Sequence, residues 1–99
     1  VRAIVIGDEH TVYALRMMGF EGRVLGKNED LIRVIRELSL EEDVGVIMVT
    51  NELTAKFRDE FNKLRMKMRK PLLIEIPTLR EVKREEINYL AILRSTLGI

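Results

Sequence analysis

The acidic pair Asp8-Glu9, followed by His10, is the first place in this sequence where chemistry could be done. Two carboxylates can bind a hard cation, and a carboxylate beside an imidazole can pass a proton. A simpler reading covers the same residues. Asp8 stands just ahead of a helical pattern, where its carboxylate can accept the free amides of the first turn, and Glu9 then complements the helix dipole. His10 is the only histidine in the chain, and a lone histidine is a poor basis for a metal site. Gly26-Lys27 lacks the upstream glycine and the Ser/Thr of a phosphate-binding loop, and nothing fits the dinucleotide fingerprint GxGxxG. No serine is paired with a histidine at a spacing that suits a triad. The absence of cysteine removes thiolate zinc sites, cysteine nucleophiles and disulfides. No catalytic, cofactor-binding or metal-binding residue is therefore expected.

One basic cluster remains: Lys63, Arg65, Lys67, Arg69 and Lys70. It closes a helical pattern, where cations satisfy the negative end of the dipole. Without interleaved aromatics it does not read as a single-strand platform, and no nucleic-acid partner is expected. Met17 and Met18 end one helical pattern, Met66 and Met68 another. Core filling is the default role for such side chains, and an adaptable contact surface is the other.

The elements that would position these residues follow from periodicity. Arg2 to Ile6 is a β-branched run closed by Gly7 and reads as a buried strand. Val12, Ala14, Leu15 and Met18 recur at helical spacing, and Gly19 supplies a left-handed C-cap. Arg23 to Leu25 reads as a brief second strand, and Asn28 as the cap of a helix carrying Leu31, Ile32, Ile35 and Leu38. Val44 to Val49 is apolar at nearly consecutive positions, as a strand covered on both faces should be. Thr50 or Asn51 would cap one long helix reaching Arg69, about 28 Å at 1.5 Å per residue, with Leu53, Phe57, Phe61, Leu64 and Met68 on its inner stripe. Pro71 stops it and opens a strand from Leu72 to Ile76. This alternation predicts an α/β fold, a four-stranded parallel sheet in the flavodoxin-like order 2-1-3-4 between helices.

Residues 1–77 are expected to form the globular part, and residues 78–99 a connector and C-terminal helix of the same domain. In that helix Ile87, Leu90, Ala91, Ile92, Leu93 and Leu97 surround Tyr89 and Arg94. This is more apolar surface than one core-facing stripe requires. One face would pack on the sheet and another would be left for a partner; the bland alternative puts both in the core.

Length and composition set the outer limits. Ninety-nine residues with 46% hydrophobic content suit one domain with its own core. Charged residues make up 33% of the chain, yet the net charge is only +1, a balance that disfavours a general polyanion binder. No apolar run approaches the ~20 residues of a spanning helix and no signal peptide opens the chain, so a cytoplasmic location without direct membrane insertion is expected.

Taken in order, four blocks resemble the F subunits of the A-type and V-type rotary ATPases. The first is Ile4-Val5-Ile6-Gly7-Asp8 with Thr11, running into Leu15-Arg16-Met17-Met18-Gly19. Asp43 to Thr50 with its Thr50-Asn51-Glu52 turn is the second, Pro71 to Pro77 the third, and the tail Ile92 to Ile99 the fourth. The resemblance implies a non-catalytic component of the central rotor stalk, docked on the D subunit that forms the shaft, whose C-terminal helix can reach toward the catalytic head. ATP synthesis or hydrolysis would there be coupled to proton or sodium transport. Ile87, Leu90, Ile92, Leu93, Arg94 and Leu97 are the expected contact residues, Arg94 adding polar specificity. The alternative is a receiver-like signalling or small-ligand-binding module. A receiver would need a phosphoacceptor aspartate where Thr50-Asn51 stand, and a fifth strand with a lysine.

Overall fold

The computed structural model describes residues 1–79 and 86–98, with side chains in the final helix from Ala91 onward. Strand β1 (Arg2–Gly7) leads to helix α1 (Glu9–Met17), β2 (Glu21–Val24), α2 (Leu31–Ser39) and β3 (Val44–Thr50). Then come α3 (Asn51–Lys56), α4 (Arg58–Lys67), β4 (Leu72–Ile76) and α5 (Glu86–Leu97). All strand pairs are parallel and the sheet order is β2-β1-β3-β4, the order expected from the sequence.

Alternation along the central strands divides the core in two. Ile4 and Ile6 of β1, with Ile47 and Val49 of β3, face one layer made with Leu31, Ile32, Val34 and Ile35 of α2 and Phe61 and Leu64 of α4. Val5 and Met48 face the other way, onto Val12 and Leu15 of α1, with Ile76, Leu79 and Leu93. Successive side chains in a strand point to opposite faces, so a sheet covered on both sides needs apolar residues at every central position. Val34 joins this core although the sequence pattern had not included it.

The first helix closes as its glycine implies. Gly19 has φ +99°; its N–H donates to the Arg16 carbonyl and the Phe20 N–H to the Leu15 carbonyl. These paired bonds make a Schellman cap.

Three local expectations are corrected. Asp30, not Asn28, caps α2, its carboxylate accepting the Ile32 amide at 3.0 Å. The preceding loop is stapled by Glu29, which accepts from the Gly26 amide at 2.8 Å and from Arg23 at 2.6 Å, so the cap falls two residues past Asn28. Strand β2 runs from Glu21 to Val24 rather than from Arg23 to Leu25. It begins earlier because Arg2 reaches across from β1 to hold Glu21 at 2.8 Å while also binding Glu41 and Asp43.

The third correction concerns the long helix after β3, which is two helices. Phe57, at φ −120° and ψ 32°, breaks it between Lys56 and Arg58. Residues on either side of the break bind one carboxylate on the edge strand: Thr54 donates its hydroxyl to Glu75, and Arg58 donates to Glu75 at 2.8 Å. Bending at Phe57 keeps Leu53, Phe57 and Phe61 against the core while both polar groups reach β4.

The Arg58 guanidinium, followed by the Thr54 hydroxyl, holds the Glu75 carboxyl below its ordinary range. A carboxylate depressed in the folded state stabilises the fold above its unfolded value and loses that contribution as pH falls through the lower folded value. Acid titration of the urea midpoint from about pH 4.3 downward is therefore expected to fall less steeply in Arg58→Met than in the wild type. Gly19→Val is expected to cost about 1–2 kcal/mol by forcing a branched residue into the left-handed region, read by urea denaturation with an unchanged slope.

Candidate functional site

Open α/β sheets bind ligands outside the carboxyl ends of their strands, where the order reverses. Here that point lies between β1 and β3, and a crevice of about 200 Å³ opens there, lined by Asp8, Leu25, Gly26, Lys27, Glu29, Thr50, Glu52, Leu53, Lys56 and Phe57. Two of its carboxylates, Asp8 and Glu29, serve the fold. The Asp8 carboxylate accepts from the Thr11 amide at 3.2 Å and the Thr11 hydroxyl at 2.7 Å, capping α1. Glu29 is held by the Gly26 amide and then by Arg23, which together keep its carboxyl below the usual range. His10 lies exposed on α1. Among the described residues no group of three or more His, Cys, Asp or Glu is placed to hold a metal.

The end of β3, where a receiver would carry its phosphoacceptor, holds Thr50. It is 0% exposed, and its hydroxyl has no hydrogen-bond partner. Its methyl packs on Gly7 so closely that a Cβ there would lie 2.5 Å from it. Thr50 gives α3 no side-chain cap; that role comes from across the sheet. The Thr78 hydroxyl accepts the Glu52 amide at 3.2 Å and donates to Asn51 Oδ1 at 2.7 Å. One residue on, the Leu79 amide donates to the buried Thr11 hydroxyl at 2.9 Å. Neither tie was foreseen from the sequence, because each joins residues far apart in the chain; the signal was only a threonine beside the last strand.

The expected contact residues divide along α5. Leu93 is 3% exposed and packs, with Leu79 and part of Leu97, on Val12, Leu15, Met48 and Ile76. Ile92 is 50% exposed, and Arg94 beside it faces solvent. The side chains of Ile87 and Leu90 lie outside the described residues. Met18 and Met68 fill gaps beside the two cores. Met17 and Met66, for which core filling was the default, stand exposed.

A family model described as the ATP synthase (F/14-kDa) subunit matches residues 3–92. The chain belongs to this family. A curated relative, the F subunit of the A-type ATP synthase from Methanococcus aeolicus, is 30% identical over 101 residues, covering 100% of this chain and 97% of its own length. The match to the F/14-kDa family spans both core layers, all four strands and the start of α5. No helix among the described residues is long and apolar enough to cross a membrane.

Thr11 is 0% exposed and serves both Asp8 and Leu79. Thr11→Val is expected to cost about 1–3 kcal/mol by leaving the Leu79 amide without an acceptor in the core, whereas Thr11→Ser should retain most of the stability. Urea denaturation of the pair checks this.

Proposed function

We propose that this chain is a non-catalytic component of the central rotor stalk in an A/V-type ATP synthase, docked on the D subunit that forms the shaft. It would sit on the cytoplasmic side, peripheral to the membrane through the complex, and its C-terminal helix would reach toward the catalytic head. The role is mechanical: the globular part grips the shaft, which passes torque between ATP synthesis or hydrolysis in the head and proton or sodium movement through the membrane ring. Membership of the F/14-kDa family and the name carried by the Methanococcus relative support this reading.

The observation that carries the choice of surface is Ile92, a large β-branched side chain left 50% exposed on α5 while Leu93 beside it anchors the helix. An apolar residue flanked by Arg94 suits a protein contact with one charged group to set its register. Ile87, Leu90, Leu93 and Leu97 are proposed with them. Leu93 and Leu97 would act in the arrangement seen here by holding the helix in place.

Because Ile92 and Arg94 are exposed, their substitution tests the interface without opening the core. Ile92→Asp with Arg94→Glu is expected to weaken capture of the purified shaft protein by about tenfold or more, as loss of an interface anchor costs over about 1.4 kcal/mol. Wild-type affinity in this variant removes the helix from the shaft interface. Reconstituting head and shaft with and without the chain, and measuring ATPase rate, tests the rotor assignment itself: an unchanged rate with no uptake of the chain overturns it.

A further inference from the structure

The crevice between the ends of β1 and β3 keeps one group that the fold does not use. Thr50 lines it and is fully buried, yet its hydroxyl has no hydrogen-bond partner. Packing does not require that hydroxyl, since the atom pressed on Gly7 is the Thr50 methyl. Valine would fill the same shape without an unsatisfied polar atom, and a hydroxyl orphaned in a core carries a cost. Lys27 and Lys56 line the same crevice, and neither makes an ion pair with a described residue. Lys56 stands in the last turn of α3, where a helix end suits a cation. Lys27 has no such account: it lies in the loop ahead of α2, on the side of that helix where the dipole disfavours positive charge. Of the carboxylates at the crevice, Asp8 is engaged by Thr11 and Glu29 by Gly26 and Arg23, leaving Glu52 against two lysines. Leu25, Leu53 and Phe57, each partly buried, supply an apolar wall.

We propose that this crevice binds a small phosphomonoester, with Lys27, Lys56 and the Thr50 hydroxyl on its phosphate and Leu25 and Leu53 against its carbon body. Lysine binds phosphate as a point charge, and a threonine hydroxyl adds one directed donor. The volume of about 200 Å³ is below the about 300–1,000 Å³ of pockets for drug-sized ligands, too small for a whole nucleotide. A divalent cation fits less well. Two of the three carboxylates are already bonded, and among the described residues no metal-holding group of three or more His, Cys, Asp or Glu is formed. The site draws on neither the stalk reading nor α5, so it stands or falls independently of shaft docking.

The test uses the intact chain, isotope-labelled and followed by amide NMR as propyl phosphate or inorganic phosphate is added at constant ionic strength. Saturable shifts are expected at Leu25 to Lys27 and at Thr50 to Phe57, with propyl phosphate binding the tighter. Affinity is expected to fall about tenfold or more in Thr50→Val and in Lys27→Met with Lys56→Met, while Thr50→Val melts no lower than the wild type. A response that never saturates, or full affinity in either variant, overturns the proposal. Saturable shifts with magnesium and none with phosphate overturn it in favour of a cation. Inorganic phosphate binding as tightly as propyl phosphate overturns the choice of an ester. Loss of stability in Thr50→Val overturns the role of the hydroxyl, which would then belong to the fold.

Discussion

Side chains on a strand alternate between two faces, and in this protein both faces of the sheet are covered. Every central position of β1 and β3 must therefore be apolar, because there is no solvated side to receive a polar residue. Ile4, Ile6, Ile47 and Val49 serve one layer, Val5 and Met48 the other. Parallel pairing makes this unavoidable, since each crossover helix lands on a face. The same arrangement brings the amino ends of α1 and α3 to the carboxyl edge of the sheet, where Asp8 and Thr78 satisfy their free amides.

That use of the strand ends shapes what the molecule can do. Groups that would bind or activate a substrate in another α/β protein are here bonded to backbone: Asp8 to Thr11, Glu29 to Gly26, Thr78 to Glu52. Thr50 closes against Gly7 at the position where a receiver needs a carboxylate. The surface proposed for protein recognition lies elsewhere, on the outer side of α5 around the exposed Ile92.

Much of this was legible in the sequence, because apolar periodicity and glycine placement are local signals. The β1 and β4 runs, the Asp8 cap and the Gly19 terminus were all readable from neighbouring residues, whereas the sheet order rests on pairing between distant strands and was expected only by analogy with flavodoxin-like sheets. What could not be read depends on contacts between distant segments. The break at Phe57 is invisible to periodicity, since the inner stripe from Leu53 to Leu64 continues through it; Glu75, on another element, is bonded to both sides. The choice of Asp30 over Asn28 turned on Glu29 stapling its own loop to Arg23. The likeness to the F subunits of rotary ATPases lay in the order and spacing of the four blocks, and the match over residues 3–92 agrees with it. The division of α5 into an anchored Leu93 and an outward Ile92 needed the structure, because its composition is apolar on several sides.

The attachment of Thr78 and Leu79 has a mechanical meaning. Both residues follow β4, yet their bonds run sideways, to Asn51 and Glu52 at the head of α3 and to Thr11 in α1. A pull on the chain beyond Leu79 would not peel the edge strand away from β3 one hydrogen bond at a time. It would load several bonds together in shear and spread the strain to the two helices flanking the centre of the sheet. The tail is thus anchored to the middle of the molecule rather than to its rim.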